Sequence, residues 1–155
     1  SSDLDLFDAL LHRYRGLLFS LCQRYQRRSA TLEDLLQEAS VALWMNRERL
    51  LALSAGPRQA AFVWKIARNA IIDNLRRTPM SEALPEGYET EDEDRSKVYE
   101  LRERIALLPE PDRTVVTMQL EGYSYEEIAE SLKMTVKNVS VRLVRIKEKI
   151  RKEWT

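Results

Sequence analysis

The stretch SYEEIAESLKMTVKNVSVRLVRIKEKIRK, residues 124–152, predicts a short helix, a tight turn and a longer helix. Ser124 and Glu127 have the spacing of a capping box, in which each side chain accepts a hydrogen bond from the other residue's backbone amide. The turn falls at residues 133–134, and Thr135 is a suitable N-cap for the second helix. The short helix has one apolar face, made of Ile128, Ala129 and Leu132.

The predicted second helix is amphipathic, and its outer face is basic. Its apolar positions recur at spacings of three and four, so they share a face: Val136, Val139, Leu143, Ile146 and Ile150. The opposite face carries Asn138, Val141, Arg142, Arg145 and Lys149. A short capped helix followed by a basic helix is typical of a helix-turn-helix that reads the major groove. Two alternatives remain open: a merely solvated basic face, or pairing of Arg142 or Arg145 with Glu126 or Glu130.

Composition limits the classes of protein to consider. The chain has 155 residues and a formal net charge of zero, enough for one ordinary domain or two small ones. No apolar run reaches the ~18 residues of a membrane span, so we expect no membrane insertion. Cys22 and His12 are the single cysteine and the single histidine. We therefore expect no disulfide, no metal site and no catalytic residue, and we expect no cofactor. The cysteine usage also suggests a cytoplasmic protein, which we expect not to be an enzyme.

The first half of the chain predicts three helices. Apolar residues at steps of three and four indicate one long helix over residues 4–27. A second helix over residues 31–44 opens with a capping-box pattern at Thr31. It leaves Asp34, Gln37, Glu38 and Val41 facing outwards, as a dipole-matched surface or a partner surface.

The third predicted helix spans residues 62–77 and has a basic outer face that includes Lys65, Arg68, Asn69 and Arg76. Cations neutralise phosphates, and an aromatic such as Trp64 can stack on an unpaired base. This favours contact with nucleic acid. The alternative for Trp64 is that it completes the core, because tryptophan is usually mostly buried.

A proline- and acid-rich segment separates two helical halves. Its composition predicts a flexible acidic linker over residues 79–94, between domains at 1–78 and 95–155. In the second domain, helix resumes near Arg95 and Asp112 is a candidate N-cap for the next helix. That helix is expected to bury Val115, Val116 and Leu120 and to end at Gly122. The predicted fold class is all-α, with two small domains.

Motifs of both halves resemble a known family. Residues 31–38 (TLEDLLQE) and 62–77 (FVWKIARNAIIDNLRR) resemble the second conserved region of bacterial sigma factors. Residues 107–109 (LLP), 121–129 (EGYSYEEIA) and 139–145 (VSVRLVR) resemble their fourth region. Without an intervening third region, the chain is similar to the short extracytoplasmic-function group of the sigma-70 family.

The resemblance implies a promoter-specificity subunit that binds core RNA polymerase and promoter DNA, with an anti-sigma factor as a further candidate partner. The implied polymerase-binding residues are Asp34, Leu35, Gln37 and Glu38. Those implied for the minus-ten element are Trp64, Lys65, Arg68, Asn69, Asp73, Arg76 and Arg77. Those implied for the minus-thirty-five element are Lys137, Asn138, Val141, Arg142, Arg145 and Lys149.

This chain departs from the family pattern at three places. Lys133 stands at a turn position where relatives usually have glycine, and a positive φ there costs about 1 kcal/mol. Residues 137–138 are Lys-Asn where many relatives have Gly-Thr, and residues 47–58 match only weakly. A free-standing helix-turn-helix regulator is the competing function, but it gives the 62–77 helix no role. A nuclease that binds metal through the acidic residues of segment 79–94 would lack a fixed framework for its ligands.

Overall fold

The computed structural model describes residues 2–77 and 92–154, and their regular structure is helical apart from one isolated β-bridge between Arg27 and Ala30. The all-α prediction is confirmed. The helices of these ranges are α1 Asp3–Arg13, α2 Arg15–Tyr25, α3 Leu32–Met45, α4 Arg47–Leu51, α5 Pro57–Arg76, α6 Asp92–Ala106, α7 Asp112–Leu120, α8 Tyr125–Leu132 and α9 Val136–Trp154.

The chain separates into two compact units, residues 1–86 and 87–155. The predicted linker at 79–94 lies mostly outside the described residues, so its flexibility and the predicted domain limits stay predictions. Residues 92–94 belong to α6, which begins three residues before the expected Arg95.

The N-terminal unit is built around the packing of α3 on α5, with α2 against both. Leu35, Ala39 and Leu43 of α3 are fully buried, as are Ala67 and Ile71 of α5. These residues recur at helical spacing, so one face of each helix forms the core. Alanines at this contact let the two backbones approach closely.

The prediction of one helix over residues 4–27 is wrong. The chain leaves helical geometry at Tyr14, whose φ is −104° and ψ is 16°, and α2 begins at the next residue. At the break Tyr14 is buried, and its hydroxyl donates to Gln59 Oε1 at 2.7 Å. The apolar periodicity of the segment survived the break and therefore gave no sign of it.

Helix α5 begins five residues earlier than predicted, at Pro57. Proline suits the first helical position because its fixed φ is already helical and its missing N–H has no partner there. Gly56 precedes it with φ 153° and ψ −170°, a conformation open essentially to glycine alone. The connection before α5 also contains the short helix α4, which was not predicted.

The C-terminal unit packs α7, α8 and α9 around Met118, Ile128, Leu132, Val139 and Leu143, which are buried. The predicted end of α7 is confirmed, since Gly122 follows it with φ 92°. The expected burial of Leu120 is wrong, because 62% of that residue is exposed.

The sequence suggested Asp112 as the N-cap of α7, and this prediction is wrong. Asp112 is the first residue of the helix, and Glu110 replaces it: Glu110 Oε1 accepts from the Thr114 amide at 3.0 Å and from the Thr114 hydroxyl at 2.9 Å. The Glu110 side chain is 2% exposed, so these bonds compensate for its burial. The Asp112 carboxylate is thereby left to contact α9.

The predicted helix-turn-helix is confirmed in its backbone geometry. Ser124 and Glu127 form the capping box at 2.9 and 3.1 Å, and Thr135 Oγ1 accepts from the Asn138 amide at 3.0 Å. Lys133 closes α8 in the left-handed conformation, with φ 56° and ψ 48°. The turn therefore keeps the conformation that glycine favours, and the lysine carries its steric cost.

A buried amide joins the elements of the N-terminal unit. Gln59 is 2% exposed, and its oxygen accepts from the Tyr14 hydroxyl at 2.7 Å and from Arg13 Nη1 at 3.0 Å. Its Nε2 donates to the carbonyls of Leu50 at 3.1 Å and Leu53 at 2.9 Å. One side chain thus satisfies groups at the α1–α2 junction, within α4 and just after it.

Gln59→Leu is expected to lower the free energy of unfolding by about 3 kcal/mol, because it leaves the Tyr14 hydroxyl and two carbonyls buried without this partner. Urea unfolding followed by circular dichroism measures the change. Gln23→Leu, the same substitution at an exposed position of α2, is the control and should change stability by less than about 0.5 kcal/mol. Equal effects of the two variants would contradict the role given to Gln59.

Lys133→Gly is expected to raise stability by about 1 kcal/mol, because glycine adopts positive φ without steric cost. The control is Lys147→Gly at an exposed position inside α9, where glycine should lower stability by about 1 kcal/mol. Thermal unfolding of both variants tests the opposite signs. A destabilised Lys133→Gly would show that the lysine side chain itself supports the turn.

Candidate nucleic-acid and polymerase interfaces

The outward face of α9 carries most of the residues predicted to read DNA. Val139, Leu143 and Ile146 are buried against the unit, which turns the opposite face to solvent. The exposed residues of that face are Lys137, Asn138, Val141, Arg145 and Lys149. Val136 was assigned to the apolar face but is 42% exposed, so the buried face of α9 begins at Val139.

Arg142 is held by two other side chains of the same unit. Its Nη1 donates to Asp112 Oδ1 of α7 at 2.7 Å, and its Nε donates to Asn138 Oδ1 one turn earlier in α9. The pairing alternative is therefore correct for Arg142, although the partner is Asp112 rather than Glu126 or Glu130. Sequence reasoning missed Asp112, because its assignment as a helix cap already accounted for its carboxylate.

Helix α5 presents a polar strip along its second half. Asn69, Asp73, Arg76 and Arg77 are exposed, whereas Lys65 and Arg68 are half-buried. An amide, an acid and two arginines at helical spacing provide donors for phosphates and both donors and acceptors for base edges. The structure thus brings four of the seven predicted minus-ten residues to one accessible surface.

Trp64 cannot stack on a base in this structure. It is 2% exposed and belongs to the core, so its assignment as a DNA-binding residue is wrong and the core alternative is correct. The Arg68 guanidinium carbon lies 5.9 Å from the centroid of its ring, a cation–π distance. Trp64 therefore helps to place Arg68 at the edge of the surface.

The outer face of α3 is narrower than predicted. Leu35 is fully buried, so its assignment as a polymerase contact is wrong, and it anchors the helix in the core. Asp34 accepts from the Thr31 amide at 3.3 Å as half of the predicted capping box. Gln37 and Val41 are exposed, and Val41, which is 62% exposed, stands one helical turn before Met45, which is 74% exposed.

Glu38 connects the surfaces of α3 and α5. Asn74 Nδ2 donates to its Oε1 at 3.2 Å, and Arg77 Nη2 lies 3.7 Å from its Oε2. Two clefts share Glu38 as a lining residue, one with Gln37 and Asn74 and the other with Asp73 and Arg76. Sequence reasoning missed Asn74, since nothing in the local pattern predicts a contact between residues 36 positions apart.

The remaining features concern the single cysteine, metal ligands and membrane spans. Cys22 is fully buried in α2, and burial raises the pKa of its thiol from 9.0 to about 11. In the part of the chain that the structure describes, no three His, Cys, Asp or Glu residues are grouped to hold a metal ion. None of the helices within residues 2–77 and 92–154 is both long and apolar enough to cross a membrane.

Comparison with known proteins assigns both units. A Sigma-70 region 2 family model matches residues 10–79, and a Sigma-70, region 4 model matches residues 99–150. The chain is 30% identical over 171 residues to the ECF RNA polymerase sigma-E factor of Haemophilus influenzae, covering 96% of this chain and 87% of that protein. It is 25% identical to the ECF RNA polymerase sigma factor SigW of Bacillus subtilis, covering 97% and 90%.

Proposed function

The chain belongs to the extracytoplasmic-function group of the sigma-70 family, and we propose that its three outward faces divide the work of such a factor. It is a promoter-specificity subunit of RNA polymerase. In our proposal α3 binds the polymerase, α5 engages the melted minus-ten element and α9 reads the minus-thirty-five element. The observation that carries this division is that the two matched regions present separate, exposed polar faces on these helices.

The competing regulator hypothesis is not favoured. A helix-turn-helix regulator would account for α8 and α9 but would give the matched region at residues 10–79 no task. We propose core RNA polymerase and promoter DNA as partners and an anti-sigma protein as a third, which family membership supports. We place the protein in the cytoplasm, where its template is, and assign it no enzymatic activity of its own.

The polymerase surface that we propose on α3 consists of Gln37 and Val41 at its centre, with Asp34 and Glu38 beside them. Asp34 and Glu38 already have internal partners. Reversing their charge would therefore also weaken the helix cap or the contact with α5, at about 1 kcal/mol for a lost cap. Val41 offers a cleaner test, because its side chain is largely exposed.

Val41→Lys is expected to lower the affinity for core polymerase at least about ten-fold, equivalent to about 1.4 kcal/mol, by placing a charge within the contact. A pull-down with core polymerase from the source bacterium measures it. Phe19→Lys on α2 is the control, an exposed apolar residue of the same unit that should leave affinity unchanged. If wild-type protein fails to bind core but binds duplex promoter alone, the function itself is wrong. If Val41→Lys binds as well as wild type, only the surface is wrong.

The minus-ten surface that we propose consists of Asn69, Asp73, Arg76 and Arg77, with Lys65 and Arg68 at its border. The arginines would hold phosphates, and the Asn69 amide would contact a base edge or the backbone of an unpaired strand. This face is exposed along two turns of α5, whereas the opposite face is packed on α3.

Asn69→Ala is expected to reduce open-complex formation on duplex promoter about ten-fold and on a premelted bubble much less, because the bubble already supplies the unpaired strand. Alanine suits the middle of a helix, so the fold should persist. The yield of heparin-resistant complexes with the reconstituted polymerase, followed by gel shift, is compared on the two templates. Gln23→Ala on α2 should behave as wild type, and equal losses on both templates would point away from melting.

A further inference from the structure

Three side chains form a continuous chain of hydrogen bonds that ends on the exposed face of α9. Asp112 Oδ1, at the start of α7, accepts from Arg142 Nη1 at 2.7 Å. Arg142 Nε in turn donates to Asn138 Oδ1. The side chains of Asp112 and Arg142 are 27% and 31% exposed, so the ion pair is partly shielded from water and is stronger than a fully exposed pair.

The chemistry of arginine fixes the orientation of the Asn138 amide. A guanidinium group donates hydrogen bonds and accepts none. The atom of Asn138 that meets Arg142 Nε must therefore be its oxygen, and the amino group is directed away from that contact. Since Asn138 is an exposed residue of the first turn of α9, its amino group is available to a ligand on the outer face.

This arrangement changes what each residue offers to DNA. Bidentate pairing of Asn with adenine needs the amide oxygen to accept from N6 while the amino group donates to N7. The oxygen of Asn138 is already engaged by Arg142. Arginine pairs with guanine through two N–H groups. The single N–H of Arg142 Nε is engaged by Asn138, and one N–H of Nη1 by Asp112, so a pair that uses Nε is not open to it.

We propose that Asp112 and Arg142 are positioning residues that hold Asn138 as a hydrogen-bond donor for guanine in the minus-thirty-five element. Guanine presents two acceptors, N7 and O6, to the major groove, whereas adenine presents a donor beside its N7. A donor-only amide therefore favours guanine over adenine. The inference rests on the proposed reading of that element by α9. Asp112, on a different helix, sets the base preference of a residue that it does not touch.

The test is a selection that needs no known promoter. Core polymerase from the source bacterium is reconstituted with the full-length chain and selected on a duplex pool randomised across both promoter elements. We expect the wild type to select guanine at one upstream position. Asn138→Ala should lower that guanine preference about ten-fold. Asp112→Ala should lower it at the same position, and the double variant should lose no more than either single variant.

Two further variants separate donor reading from charge and from folding. Asn138→Asp keeps an acceptor for Arg142 but removes the amino group, so it should also lose the guanine. Glu130→Ala removes an exposed acid of α8 from the same unit and should leave the preference as in wild type. Asp112→Asn keeps an oxygen for Arg142, and it should lose the same guanine partially while unfolding at nearly the wild-type temperature.

Different results would overturn different parts of this reading. If Asp112→Ala changes every position evenly, or none, Asp112 does not act through Asn138 and the proposal is wrong. It is also wrong if the position that depends on Asn138 selects adenine. A wild-type polymerase that selects a downstream element but no upstream one would refute the reading by α9 itself, and the assignment of Asn138 with it.

Discussion

The amide of Gln59 is the constraint on which the N-terminal unit depends. A buried side chain that accepts from Tyr14 and Arg13 and donates to two carbonyls leaves little freedom in how its neighbours are arranged. Gln59 is also the third residue of α5, so its contacts fix the start of that helix relative to the α1–α2 junction. Because a helix is stiff over its length, fixing the start of α5 also fixes the direction in which its exposed residues face.

At the surface, Glu38 plays a similar part by joining two helices. Its contacts with Asn74 and Arg77 tie the outer face of α3 to the end of α5. In our proposal these two faces meet different partners, polymerase and DNA. A carboxylate shared between them means that a partner on α3 changes the electrostatic surroundings of Arg77. The pair is largely exposed, at 68% for Arg77, so its own contribution to stability is small.

Local features could be predicted from the sequence, and features that depend on distant residues could not. The capping boxes at Thr31 and Ser124 and the cap at Thr135 were correct, because each involves residues three apart. The break at Tyr14 coincides with a contact to Gln59, which is 45 positions away and outside any local pattern. Apolar periodicity continues through such a break and hides it.

The candidate sites divide in the same way. Helical spacing correctly placed Asn69, Arg76 and Arg145 on outward faces. The resemblance, rather than the spacing, assigned the buried Leu35 to a contact surface, and the spacing left both the core and the DNA interpretation of Trp64 open. Arg142 was expected to face DNA freely, but its partner Asp112 is 30 positions away.

Arginines of both units are partly held by protein groups before any DNA is present, Arg68 by Trp64 and Arg142 by Asp112. A side chain that is already held loses less conformational freedom on binding, so Asn138, which Arg142 orients, suits base selection. Lys137, Arg145 and Lys149 are exposed and suit phosphate contacts, which carry no sequence information.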